Sequence, residues 1–440
     1  MIQTHQPIMY STRKKIIACL AIFLIGSMST FAQTGWKICN APIFGNRVDD
    51  LFMIDTQTGY AVCGDGKIVK TINGGDNWSM LTQTSGIYHR SVEFINKEKG
   101  FVGGFPVSGG TTNILRGTTD GGATWSDLTS FLDPRARKGI CGLAVADANT
   151  VYGCGNWYEH AGYIIKSVDG GNTWSFIDMS GFATSLIDMY FSSKDTGFVT
   201  GKGKSPLESA VILYTTDGGV SWTYKFQNNV PSEYCWKIQR LTRQIYFASI
   251  EDLTNVAPKI LKSVDGGMTW EVHRVSPVTY NIEGIGFIDP LHGWTGGDYG
   301  KSFESKDGGI TWDSISTCPL MDRVFKVNDT MLFATGSQIW KYKGEGIYPT
   351  IPERHYAWMN CYPNPVKDIL SVEVSVSVPT HISVMLLDES GRQVKIIDNS
   401  DSPKGSYRYE VNTNQLSGGL YYLVLKTHED KRVVKIMVGH

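Results

Sequence analysis

The stretch SVDGGNTW, Ser167 to Trp174, returns nearly unchanged as SVDGGMTW at Ser263 to Trp270. Relatives of it read TINGGDNW (Thr71 to Trp78), TTDGGATW (Thr118 to Trp125), TTDGGVSW (Thr215 to Trp222) and SKDGGITW (Ser305 to Trp312). The shared pattern is [ST]-x-[DN]-G-G-x-x-W, and its tryptophans are spaced 47, 49, 48, 48 and 42 residues apart. An acid beside two glycines could serve catalysis once. Six copies in register mark a repeat architecture, in which each copy does the same structural job.

The repeat has a constant internal order. A run such as SVEFIN or GIGFID is followed by a polar turn, then by a short strand ending in glycine (GYAVCG, GFVGG, GFVTG, GWTGG). A third apolar strand, YIIKS or KILKS, leads into the box, and a fourth begins after the tryptophan. Four short strands per 40–50 residues are one blade of a β-propeller. The box then joins strand three to strand four. Its glycines supply the φ > 0 conformations of a tight turn. The carboxylates of Asp120, Asp169, Asp217, Asp265 and Asp307, or the amide of Asn73, accept backbone N–H groups, and the tryptophan buries a large apolar area.

These boxes resemble the Asp-box family, also called bacterial neuraminidase repeats. GFIDPLHGWTGGDYGKSFESKDGGITW (Gly286 to Trp312) is similar to the non-enzymatic propellers related to photosystem II assembly factors. The resemblance spans about residues 36–343. It implies boxes on a rim away from any ligand site.

A seventh unit, Arg323 to Gly344, supplies three strands and ends at IWKY without a box. TGWKIC (Thr34 to Cys39) reads like the missing fourth strand, with Trp36 where a box tryptophan would stand. The expected fold is all-β, a seven-bladed propeller over 33–343 closed by its own N-terminal strand, which removes exposed sheet edges. A linker over 344–360 then leads to a small Ig-like β-sandwich over 361–440, in which LSVEVSVSV alternates as a strand does.

YPNPVKDILSVE, DESGRQV and LSGGLYYLVLKT followed by VVKIMV resemble the C-terminal sorting domain of the type IX (Por) secretion system. Pro363, Asn364, Pro365, Gly391, Gly419, Tyr421 and Lys435 fall on that family's recurrent positions. The resemblance implies a type IX translocon as partner and a Gram-negative host, with release or attachment at the outer-membrane surface. The N-terminus agrees with export. Arg13, Lys14 and Lys15 precede the apolar run Ile16 to Met28, and small residues place signal-peptide cleavage after Ala32. That run is too short for a spanning helix, and no later segment is apolar enough to be one.

Charged residues make up 19% of the chain and the net charge is −1, which excludes a nucleic-acid surface built on charge. Seven cysteines remain after the signal, an odd number without C-x-x-C spacing, so neither a disulfide framework nor a zinc site is expected. Cys141 and Cys154 could sit on one hairpin, but their spacing forces no bond. No cofactor or metal motif appears.

Function is expected on the face opposite the boxes. Loops between strands two and three are short in blades one and six and long in blades two to five, so that face is lopsided. Candidate ligand contacts are Tyr88 and Arg90 (beside His89), Arg135 and Arg137 (beside Lys138), Trp157, Tyr158 and His160 (with Glu159), and Tyr234 near Trp236. Aromatics beside hydrogen-bonding groups suit a sugar or a peptide, although the same side chains could pack the loops together. Aligned on the first strand, Arg90 matches Asp49, Cys141, Ile187 and Glu283, so no arginine ring exists. The first-strand acids Asp49, Glu93, Asp188 and Glu283 are expected to be solvated in the channel. The expectation is a non-catalytic binding module for a protein or glycan. The alternative is a sialidase-like or xyloglucanase-like glycoside hydrolase, which needs two facing carboxyl groups and whose Phe-Arg-Ile-Pro stretch is missing.

Overall fold

The structure, a computed structural model, describes residues 35–439 except 108–109, 111, 156–160, 232, 253–256, 298–299, 345–356, 377–378, 404 and 428–430. The expected leader 1–32, most of the expected linker, and Trp157, Tyr158, Glu159 and His160 therefore lie outside the described residues.

Each repeat folds into four antiparallel strands in chain order. Blade one runs Val48–Met53, Gly59–Cys63, Lys67–Thr71 and Ser79–Gln83. Its second strand is buried throughout, whereas its fourth is exposed or half-buried throughout. Inner strands read as near-continuous apolar runs because neighbouring blades cover both faces of each sheet. The innermost strands of blades two to seven are Ile87–Phe94, Ile140–Val145, Ala183–Phe191, Glu233–Arg240, Gly284–Phe287 and Arg323–Asn328. The last blade takes its fourth strand from the front of the chain. Gly35–Ile38 pairs with Ile339–Lys343, Gly35 opposite Lys343 and Ile38 opposite Trp340. Trp36 sits edge-on to Trp294 of blade six at 5.3 Å and against Tyr342 at 5.4 Å. The protein is thus an all-β, seven-bladed propeller followed by a small sandwich.

The boxes work as latches between blades. In the third, Ser167 Oγ donates to Asp169 Oδ1 (2.8 Å) and accepts from Gly171 N (2.7 Å). Asp169 Oδ1 also accepts from Thr173 N (2.9 Å), and Oδ2 accepts from Thr173 Oγ1 (2.6 Å). Both glycines are left-handed, with φ +71° at Gly170 and +89° at Gly171. The second has a further reason to lack a side chain. A Cβ on Gly171 would lie 2.4 Å from Phe101 of blade two, and one on Gly75 would lie 2.3 Å from Phe333 of blade seven. Lysines close the latch from the preceding blade. Lys70, Lys166 and Lys262 donate to the carbonyls of Gly121, Gly218 and Gly308 at 2.9, 2.8 and 2.8 Å.

The sandwich stacks a three-stranded sheet (Ala357–Tyr362, Ile369–Val376, Gly405–Asn412) on a four-stranded one ordered Gln393–Ser402, Thr380–Asp388, Gly419–Lys426, Lys431–Val438. Val372, Val374, Ile382, Val384, Leu423 and Ile436 are fully buried between them. The first strand begins at Ala357, inside the stretch expected as linker. The absence of glycine and proline from AWMNCY, with its two aromatics, is the signal that places it in the sheet. Gly391 closes the Asp388 turn at φ +82°, and the Tyr421 hydroxyl donates to Ser417 O at 3.0 Å.

Candidate functional site: the channel and its mouth

The innermost strands carry bulges, and bulges re-aim side chains. The register skips Asp49, Arg90 and Cys141 in blades one to three, and skips Trp236 and Lys237 in blade five. Contacts between blades that are not neighbours show that these side chains meet on the axis. Arg90 of blade two stacks on Trp236 of blade five at 4.9 Å.

Arg47, in the connection entering blade one, organises the mouth. Its Nη1 and Nη2 grip the two oxygens of Glu283 in blade six at 2.8 and 2.9 Å. Its Nε donates to Asp49 Oδ1 and to the Tyr88 hydroxyl, both at 2.9 Å. Asp322 lies 3.7 Å away, and Arg90 pairs with Asp49 from the other side. Deeper in the channel Arg323 of blade seven bridges Asp188 of blade four (3.0 Å) and Asp50 of blade one (3.2 Å). Asp49, Asp188 and Glu283 are 1%, 4% and 3% exposed. Asp49, Asp188 and Glu283, expected as solvated acids, are thus buried and arginine-paired, because arginines from their own and other blades reach them before water does. Glu93 is half-buried, and burial followed by Asp50 pushes its carboxyl well above the usual range.

Beside Glu283 stands Glu251, from the second strand of blade five. Burial first, and then the Glu283 charge, push its carboxyl up to about 8, while a 2.6 Å hydrogen bond from Asn281 opposes that rise. His89 is fully buried, and burial lowers its imidazole to about 3, so it is neutral.

The structure brings Tyr88 and Arg90 together with Arg47 and Asp49. Tyr234 packs on Trp236 and is 9% exposed. Arg135 and Arg137 do not join this group. Arg135 is held by Asp133 (2.8 Å) over the Phe176 ring, and Arg137 donates to the carbonyls of Leu132 and Ser130. Both are tied to the insert between blades two and three, because their shortest-range partners lie within that insert. Arg47, Asn281 and Glu251 escaped the sequence reading. Arg47, Tyr88, Tyr234 and Asn281 each stand two residues before a channel position, so the repeat alignment carried a signal for all four. All seven described cysteines are free thiols, Cys141 and Cys154 included, and no cluster of metal-ligating side chains occurs among the described residues.

Residues 360–439 match the family described as the secretion system C-terminal sorting domain. The photosystem II assembly lipoprotein Ycf48 of Synechococcus sp. (strain CC9902) is 26% identical over 324 residues, covering 68% of this chain and 85% of that protein. The solved structure of YCF48 bound to D1 peptide superposes with a TM-score of 0.54 at 19% identity, covering 70% of this chain and 97% of the other. YCF48 from Cyanidioschyzon merolae gives 0.54 at 17% identity, covering 70% and 99%. Among WD40 propellers, that of Doa1 gives 0.50 at 13% identity, covering 71% and 98%. The chain therefore carries a propeller like those of photosystem II assembly factors, followed by a type IX sorting tail. That tail makes it a protein secreted by a Gram-negative bacterium. Among the described residues no helix is long and apolar enough to cross a membrane.

Proposed function

We propose that this protein is a non-catalytic binding module, which holds a protein or glycan partner at the bacterial surface or in the medium. In this reading residues 1–32 are a cleaved leader, 33–343 the propeller and 361–440 the sorting domain read by the type IX translocon. The observation that carries it is the two-toothed grip of Arg47 on Glu283. With Asp49 and Asp188 likewise held by arginines of the same chain, the channel is a plug of paired charges. Among the described residues, Arg47 and Arg323, the channel arginines that would hold a sugar carboxylate, are already paired with acids of this chain. Recognition then falls to the loops above the plug, where the blades differ. YCF48 bound to D1 peptide supports a peptide as one class of ligand for such a propeller.

One observation favours a hydrolase as second reading. Glu251 is a carboxyl kept protonated near neutrality beside Glu283, and a proton donor paired with a second carboxyl group is what glycoside hydrolysis requires. The two are separated by screening the full-length protein against glycan and surface-protein arrays while assaying chromogenic glycosides. Retention of a ligand without turnover supports the binding module. Turnover abolished by Glu251→Gln or Glu283→Gln overturns it.

A further inference from the structure

The sorting motif is a clamp on the edge strand Lys431–Val438. After Tyr362 the backbone leaves the edge of the three-stranded sheet and crosses to the edge of the other, where Val366 pairs in parallel with Val438. Along that crossing Asn364 turns its carboxamide onto the last strand. Its Nδ2 donates to Lys435 O at 2.8 Å and its Oδ1 accepts from Met437 N at 2.9 Å. Val366 continues the ladder, its N–H donating to Met437 O at 2.8 Å and its carbonyl accepting from Gly439 N at 2.9 Å. Four successive outward-facing backbone groups of an edge strand, from Lys435 to Gly439, are thereby paired.

The residue types follow from that task. A primary carboxamide carries one acceptor and two donors on a short stem, so it imitates a peptide group beside a strand. Aspartate would keep the bond to the Met437 amide but set a negative oxygen against the Lys435 carbonyl. The flanking prolines lack N–H groups, so Pro363 and Pro365 leave no donor unpaired at the sheet edge. An unsealed edge is a template for foreign strands.

We propose that Asn364 is a positioning residue of the export signal: it makes the signal readable only when the final strand, up to Gly439, is synthesised and docked. The inference rests on the sorting-domain assignment of residues 360–439. A chain lacking its last residues would leave Asn364 without Met437 and present a frayed edge to the translocon.

The test uses the full-length protein in a type IX-competent host. Amide exchange at Met437 and Gly439 is measured alongside the fraction of protein reaching the outside. Asn364→Ala and Asn364→Asp are compared with deletion of 437–440, and with Val384→Ala, a core substitution outside the clamp. For Asn364→Ala, exchange at Met437 should rise about tenfold, as loss of a backbone-capping bond gives. Export should fall with it, and combining Asn364→Ala with the deletion should lower export no further than either alone. Asn364→Asp, which keeps the bond to the Met437 amide, should leave Met437 protected and export closer to the parent's than Asn364→Ala does. Parental export by Asn364→Ala despite raised exchange overturns the proposal, as does unchanged exchange. Equal loss of export by Val384→Ala with its Met437 amide still protected also overturns it, since export would then follow stability. If removal of 361–440 leaves export intact, the sorting assignment itself fails, a distinguishable result.

Discussion

Arg47 and Glu283, 236 positions apart in the sequence, meet across the channel mouth as a bidentate pair at 2.8 and 2.9 Å. Blade one is thereby tied to blade six past the blade-seven closure. The pair is mostly buried, the arginine side chain 13% and the glutamate 4% exposed. Removing one partner strands the other charge, so Glu283→Leu should cost about 3 kcal/mol in denaturant unfolding. The double change Arg47→Met with Glu283→Leu should recover much of that loss, because it leaves less charge unpaired. A double variant no more stable than Glu283→Leu would show that the pair is not a unit.

His89 sets an acid limit on stability. Its folded value of about 3 lies below the ordinary 6.5, so the unfolded chain takes up a proton first as pH falls. The stability that neutral His89 contributes is complete above about pH 6.5 and is lost progressively toward pH 3. The loss is about 1.4 kcal/mol per unit in that window. Melting scans from pH 7.5 to 5 should show His89→Leu falling about 2 kcal/mol less than the parent by pH 5. Parallel curves would rule out His89 as the source.

Glu251 has the opposite sign. Its folded value, raised from 4.5 to about 8, means the folded state keeps a proton that the unfolded chain releases. Stability is complete below about pH 4.5 and declines as pH rises toward 8. Glu251→Gln should therefore flatten the alkaline side of the stability profile, measured by denaturant midpoints at pH 5, 6.5 and 8. A profile unchanged by the substitution refutes the assignment.

The second glycine of each box should tolerate no side chain. Gly171→Ala must hold φ +89° and move the Phe101 ring that a Cβ would meet at 2.4 Å. The expected cost is about 2–4 kcal/mol by thermal or denaturant unfolding. Gly181→Ala meets nothing within 4 Å and should stay within about 0.5 kcal/mol of the parent. Equal effects at the two sites would remove the latch role.

Ring closure depends on Gly35–Ile38. Deleting residues 33–42 removes the strand paired with Ile339–Lys343 and takes Trp36 off Trp294 and Tyr342. The truncated protein should unfold at a lower temperature and over a broader transition, as a sheet with an open edge does. Melting indistinguishable from the parent would mean that the ring closes without it.

The architecture was legible because propeller repeats are written locally. The box needs glycine for left-handed backbone, a hydroxyl and a carboxylate within eight residues, so SVDGGNTW declares itself without reference to distant chain. Counting boxes counted blades, and the boxless seventh unit pointed to Trp36. The mouth was less legible. Tyr88 and Arg90 stood out as aromatic and basic side chains near a loop, but Arg135 and Arg137 looked the same in sequence. Nothing local shows that Arg135 is absorbed by Asp133 and Phe176, or that Arg90 is stacked on Trp236.

By itself the sequence determined the repeat, its turn chemistry, the blade order and the sorting tail, since each depends on contacts within one blade or one motif. Only the tertiary structure decided what the channel is. Its occupants include side chains from blades that are not neighbours, as Arg90 on Trp236 and Arg323 on Asp188 show, and whether an acid there is solvated or ion-paired depends on which side chains the closed ring sets around it. Asp188 and Glu93 both read in the sequence as acids of an innermost strand. Asp188 is held by Arg323 from blade seven across the ring, and Glu93 is pushed toward its neutral form by burial and Asp50, because ring closure sets their neighbours and spacing along the chain does not.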